Sequence, residues 1–336
     1  MSREILSYLS AAIMAATVSF ALTWLLMPLL HRYALAMPNA RSSHKHPTPQ
    51  GAGIAVIAAT LATAVVFAFA MDTKISVYAL AATLLIAVVG AADDIRSLPV
   101  LTRLLAQTIA VSAILSTASG HLRLFPVFPF WIEQCVVLLA GVWFINLVNF
   151  MDGLDWMTVA EAVPVVAAIA VLGFLGHLSP TTAILASALG GALIGFAPFN
   201  RPVAKVFLGD VGSLPIGLLL GWCLLEVTYQ GHLAAALLLP LYYLADATIT
   251  MLRRLIAGDK IWTAHRCHFY QRAADNGAPA IQIVGSVFAV NILLAALAIV
   301  SVIIPSPFIT ALALAGGALI VALALFRFSW PHPRKT

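Results

Sequence analysis

The chain has 336 residues, 62% of them hydrophobic and 9% charged, with a mean hydropathy of +1.01. Soluble domains carry about half apolar and a quarter charged residues, so this composition excludes one and leaves a polytopic membrane protein. The net charge of +5 reads first as a topology signal and then as attraction to anionic lipid, and nucleic acid is not an expected partner.

Lipid offers backbone amides no hydrogen-bond partner, so the spans are expected to be helices and the fold all-α. In chain order, apolar runs near the 20 residues needed to cross the hydrocarbon layer predict about eleven spans. They fall at residues 5–30, 51–71, 77–92, 103–119, 131–148, 158–176, 181–197, 213–228, 233–251, 280–304 and 308–326. The first run is too long, and lacks a small-residue cleavage site, to read as a removable signal peptide. One transmembrane domain then covers residues 1–326, followed by a short basic tail at 327–336. Five longer loops, 31–50, 93–102, 149–157, 198–212 and 252–279, alternate with short ones such as 72–76, 177–180 and 229–232.

Lys and Arg accumulate in cytoplasmic loops. Of the 18 present, only Arg3, Lys74 and Arg123 fall in the short-loop set. The five longer loops and the tail are therefore expected in the cytoplasm, and the N-terminus outside. Cys135 and Cys223 lie in apolar runs and Cys267 stands alone in a loop, so no disulfide frame or zinc site is implied.

The acids carry the chemistry. Asp93 and Asp94 close the third span in GAADDIRSL, Asp152 and Asp155 follow the fifth in NLVNFMDGLD, and Asp210 opens the eighth in FLGDVGS. Three segments on one face can converge oxygen ligands on a hard cation; Mg²⁺ takes one or two carboxylates plus substrate phosphates and waters. Gly153, Gly209 and Gly212 permit close approach of backbone to a ligand. His44, Lys45, His46, His265, Arg266, His268 and Arg272 in the 31–50 and 252–279 loops supply donors for phosphate oxygens. Metal, phosphate and lipid together point to a lipid-phosphate transferase. The bland readings are a solvated turn for the acid pair, surface imidazoles for His265 and His268, and an interface anchor for Arg253-Arg254. Asp246, inside an apolar span and two helical turns before Arg253, reads as structural.

The motifs DDIRSL, NLVNFMDGLD, FLGDVGS and HRCHFYQR, in this order, resemble the polyprenyl-phosphate N-acetylhexosamine-1-phosphate transferase family, and its O-antigen-initiating branch more than its peptidoglycan branch. The resemblance spans about residues 1–326. It implies transfer of a sugar 1-phosphate from a UDP-N-acetylhexosamine to undecaprenyl phosphate at the cytoplasmic face of the bacterial inner membrane, with release of UMP. It implies Mg²⁺, or Mn²⁺ in its place, with Asp210 as ligand and Asp152 beside it. By the same likeness Asp93, Asp94, Asp152, His265 and His268 are catalytic. Lys45, Thr48, Asn149, Asp155, Phe207 and Arg266 contact substrate, with Phe207 offering a ring to the base. Relatives include homodimers. Trp156 departs from the family's second glycine in DGxDG, and Phe269-Tyr270 stand where the peptidoglycan branch has further histidines.

The sugar remains open between N-acetylglucosamine and a 6-deoxy relative such as N-acetylfucosamine or N-acetylquinovosamine. One displacement is the expected mechanism, with a double displacement through an aspartyl-phosphate as the alternative. The non-enzyme alternative is a transporter, whose acids belong near mid-bilayer and whose sequence shows two related halves.

Overall fold

The structure is a computed structural model describing residues 2–36, 47–116, 123–124, 127–260 and 265–331, without the side chains of Ser2 and Arg3. The expectations for His44, Lys45 and His46 lie outside the described residues. The elements are α1 (Ser2–Tyr33), β1 (Leu35–Ala36), β2 (Thr48–Pro49), α2 (Gly53–Ala70), α3 (Val77–Ile95), α4 (Val100–Leu115), α5 (Phe130–Met151), α6 (Met157–Phe174) and α7 (Pro180–Phe196). There follow α8 (Asp210–Tyr229), α9 (Leu233–Leu238), α10 (Leu241–Ile256), α11 (Phe269–Asp275), α12 (Ala280–Ile303) and α13 (Pro307–Ser329). The fold is an all-α polytopic membrane bundle. Among the described residues its one sheet is the antiparallel pair β1 and β2.

Nine described helices are long and apolar enough to cross a membrane. The two remaining predicted spans differ from expectation. The fourth is α4, a shorter apolar helix of 16 residues. The ninth is broken: Pro240 lacks the N–H that a continuous helix would need there, so the run divides into α9 and α10. The pieces part company, α9 packing on α8 and α12 while α10 packs on α5 and α13.

Burial ranks the helices. The most apolar stretch of α7 is 83% buried and that of α1 only 22%, so α7 is core and α1 faces lipid over most of its surface. Their backbones touch where α7 is glycine: a Cβ on Gly191 would lie 2.0 Å from Ala12 O, and one on Gly195 2.1 Å from Ala16 O.

Contacts between loops sort them into two ends. At one end Gln50 Nε2 donates to Asp94 O at 3.1 Å, Trp156 N to Asn200 Oδ1 at 2.8 Å, and Ala204 N to Asp155 Oδ2 at 2.9 Å. At the other, Thr181 Oγ1 donates to Lys74 O at 3.4 Å and the His177 and His232 rings lie 5.6 Å apart. The longer loops described all gather at the first end.

Candidate functional site

The acidic corner forms where the end of α3 meets the start of α8. Asp94 Oδ1 accepts the Asp210 N–H at 2.9 Å and Oδ2 accepts the Val211 N–H at 3.0 Å. These are orphan amides of the first turn of α8, and a carboxylate is well matched to that positive helix end. Asp94 thus caps α8 from another helix. The fit requires glycine: Gly209 has φ +75°, and a Cβ there would lie 2.5 Å from Asp94 Oδ2. A Cβ on Gly90 would lie 2.3 Å from Asp210 O.

Asp210 is thereby held at the head of α8, and its Oδ1 accepts from Asn149 Nδ2 at 2.8 Å. The same amide nitrogen donates to Ser213 Oγ at 2.8 Å, so the Asn149 carbonyl oxygen takes no part in either bond. Asp93 lies near enough to Asp210 for the two carboxyls to interact. Arg103, in the first turn of α4, pairs with Asp93 Oδ2 at 3.0 Å, and the Leu98 N–H reaches Oδ1 at 2.5 Å.

Asp152 follows α5 on the same rim and accepts from Thr158 Oγ1 at 2.5 Å. Burial raises its carboxyl to about 6, with Asp94 and Asp155 adding to the rise and the Thr158 bond opposing it. Asp155 Oδ2 accepts the Ala204 N–H at 2.9 Å. Trp156 takes the left-handed conformation at φ 66°, which explains why a glycine suits this position. Its indole is tied to Ala197 O at 2.6 Å.

Thr48 is 7% exposed in β2. Beside it, the Phe207 N–H donates to Pro49 O at 2.8 Å, and Phe207 O accepts from Gly51 and Ala52 at 3.1 Å each. Phe207 is partly buried at the rim, next to Asp210 in the chain.

The histidine loop hangs on Asp246, which is 0% exposed. Its Oδ1 accepts the Phe269 N–H at 3.0 Å, its Oδ2 accepts the Tyr270 N–H at 3.2 Å, and His268 Nδ1 lies 3.2 Å from Oδ1. Tyr242 and Thr250 hydroxyls donate to the same carboxylate at 3.2 and 3.3 Å. Arg253, two turns on, is not among these partners and lies over the Phe269 ring at 4.7 Å.

His268 is buried, and Gln271 Oε1 accepts its N–H at 3.2 Å. The His265 ring stands 4.9 Å from it, with a buried Nδ1 that has no hydrogen-bond partner among the described residues. Burial, then His268 and Arg254, lower the His265 imidazole to about 4, so it is neutral near pH 7. Arg266 pairs with Asp275 at 3.0 Å. Tyr270 Oη donates to Phe150 O at 3.2 Å, locking the loop onto the end of α5, and a Cβ on Gly153 would meet that hydroxyl at 2.1 Å.

The structure thus joins Asp93, Asp94, Asn149 and Asp210 directly, with Asp152 alongside and His265 and His268 on the loop clamped to it. Sequence reasoning missed Arg103, Thr158, Ser213 and Tyr270, and the holding role of Asp246. A glutamine three residues after His268 was the one local signal, since it marks a helix start.

Among the described residues no three His, Cys, Asp or Glu side chains form a ready metal cage. Mg²⁺ does not need one. Neighbouring carboxyls favour a shared proton or a cation, and Asp93 and Asp210 supply hard oxygen donors near each other, with Asn149 bonded to Asp210. The residues fit a magnesium ion completed by phosphate and water.

The molecule is an all-helical membrane bundle that presents several carboxylates at one rim, beside a clamped histidine loop. The profile of glycosyl transferase family 4 matches residues 76–228 of the chain. A decaprenyl-phosphate N-acetylglucosaminephosphotransferase of Mycolicibacterium smegmatis is 27% identical over 298 residues, 77% of this chain and 73% of that protein. A probable undecaprenyl-phosphate N-acetylglucosaminyl 1-phosphate transferase of Bacillus subtilis is 24% identical over 306 residues, 83% of each chain. A phospho-N-acetylmuramoyl-pentapeptide-transferase of Caldanaerobacter subterraneus is 33% identical over 192 residues, 52% of this chain and 59% of that one.

Proposed function

We propose that this protein transfers an N-acetylhexosamine 1-phosphate from a UDP-sugar to undecaprenyl phosphate, releasing UMP, with Mg²⁺ at Asp210. The coarser reaction, sugar-phosphate transfer to a polyprenyl phosphate in the membrane, is the one the relatives share by name. The observation that carries the reading is the capping of α8 by Asp94, which holds Asp210 at the helix head with Asn149 on its carboxylate.

In one displacement, a lipid phosphate oxygen bonds to the β-phosphorus of the donor while the bond from that phosphorus to the bridging oxygen breaks, and UMP leaves. When bound, the cation withdraws charge from the diphosphate and its leaving oxygen. Asp93, fastened by Arg103 and the Leu98 N–H, is suited to orienting the acceptor or holding the cation. A lipid phosphate has a second pKa near 6, so no strong base is required. His265, neutral, and His268, oriented by Asp246, offer hydrogen bonds to sugar or phosphate oxygens. Asp94 acts through α8, as a positioning residue. A cavity of about 350 Å³ lined by Phe144, Gly217, Trp222, Leu237 and Leu244 gives the prenyl chain an apolar bed.

The Phe269 and Tyr270 side chains are spent on Arg253 and Phe150, which supports a simple N-acetylated sugar over a muramyl-peptide. The acids stand at helix ends, which argues against a transporter. A role in starting O-antigen chains, a cytoplasmic placement of the site in the inner membrane, and a homodimer belong to the same proposal.

Purified protein incubated with UDP-N-acetylhexosamines, undecaprenyl phosphate and Mg²⁺ should release UMP only when both substrates are present. Uptake of a solute into vesicles without UMP release would reject the reading. Donors with and without a 6-hydroxyl then identify the sugar.

A further inference from the structure

One buried acid has no task in this mechanism. Glu161 lies one turn into α6, 2% exposed, and faces Asn291 of α12, 1% exposed. The Asn291 amide nitrogen donates to Glu161 Oε2 at 2.6 Å and to Ala160 O at 3.1 Å. A backbone carbonyl only accepts, so the contact with Ala160 fixes which end of the amide is nitrogen. The other halves of the two groups, Glu161 Oε1 and Asn291 Oδ1, are buried and have no hydrogen-bond partner among the described residues.

Two acceptors left over from one bonded pair are costly. An ionised Glu161 would be costlier still, because among the described residues no cation faces it and the Tyr243 N–H, a neutral donor, offsets the buried charge only in part. Helices α5, α6, α7, α8 and α12 contain no Lys, Arg or His, and α1 carries Arg3, His31 and Arg32 only at its ends. The titratable groups that face Glu161 are the phenols Tyr242 and Tyr243 of α10, and Asp152 lies beyond Tyr243. Arg253 and Arg254 are at the far end of α10, engaged with Phe269 and Asp259. An unpaired carboxylate in such surroundings takes up a proton instead.

We propose that Glu161 is held as a neutral acid in a cyclic pair with Asn291: its O–H, on Oε1, donates to Asn291 Oδ1 while the amide N–H donates to Oε2. A single proton satisfies both orphaned oxygens and removes the buried charge. The pair clamps α6 to α12. Thr158, three residues earlier on α6, donates to Asp152. The Tyr243 N–H, freed by the break before α10, faces the same carboxyl, and Asp246 one turn further on holds the histidine loop. Glu161 is thus a positioning residue for both parts of the site. Its effect on turnover rests on the transferase reading, whereas its protonation does not.

Infrared difference spectra between the wild type and Glu161→Gln, full-length in lipid nanodiscs at pH 7, should show the C=O stretch of a protonated carboxylic acid lost on substitution. A lost carboxylate band instead overturns the proposal. Glu161→Gln rebuilds the pair as amide to amide, so kcat/KM should stay within about twofold, while Glu161→Ala and Asn291→Leu should each lose roughly tenfold. A Glu161→Gln protein that fails to fold, or loses as much as Glu161→Ala, also overturns it, since the charge would then be needed. The infrared result requires no turnover, so failure of the transferase reading would leave it standing.

Discussion

Two aspartates do the same physical job at two corners of this molecule. Asp94 accepts the first amides of α8 and thereby aims Asp210; Asp246 accepts the first amides of α11 and thereby aims His268. The surroundings differ. Asp94 reaches its helix because Gly90 and Gly209 let backbones nearly touch, and it sits at a wet rim. Asp246 is fully buried and is completed by side chains, the Tyr242 and Thr250 hydroxyls and the His268 ring. A carboxyl group can therefore be seated inside a membrane bundle without Lys or Arg when a helix start, two hydroxyls and an imidazole meet it. The intramembrane acid that looks like an ion-pathway residue is here a bracket for a loop.

The comparison is tested first at what the brackets aim. Asp210→Asn should cut UMP release at least about 100-fold at saturating Mg²⁺ by removing a metal ligand and the partner of Asp93; near-normal turnover would mean that the acidic corner serves only the fold. Next, Asp246→Ala should lower kcat/KM by roughly 10- to 100-fold and expose residues 265–275 to protease. An intact loop in that variant would deny Asp246 its bracketing role.

Asp94→Ala should destabilise the protein by about 2 kcal/mol, the worth of a charge-assisted cap, read as a lowered midpoint of thermal unfolding. Gly209→Ala should cost about 1–2 kcal/mol from its left-handed backbone alone, and combining the two should give less than the sum because they disturb one contact.

The smallest effect concerns His265. Its folded pKa of about 4 lies below the ordinary value of 6.5, so the unfolded chain binds more protons between those values and stability falls as pH drops through that window. His265→Asn should flatten this acid-side slope, measured by unfolding from pH 7 to 4. The difference is small because the ring is half exposed. A slope unchanged by the substitution would place the proton elsewhere.

Legibility in the sequence followed the range of the interaction. Spans could be read because crossing hydrocarbon demands a length of apolar helix, which is a local property. DDIRSL, NLVNFMDGLD and FLGDVGS could be read as one site because each puts its acid at a helix end. The break at Pro240 was visible as a residue and not as an architecture, since whether a proline bends or divides a helix depends on what packs on each side. Asp246 was misread in its partner because Arg253 is near along the helix, while residues 268–270 are near only in space.

The sequence alone therefore determined that this chain lives in a membrane as helices and that its acids cluster at span ends, because solvation of backbone and charge is decided residue by residue. Tertiary structure alone decided which acid holds a helix, which acid is held at its head, and that Glu161 meets Asn291, because those outcomes depend on groups up to 130 residues apart completing each other's hydrogen bonds.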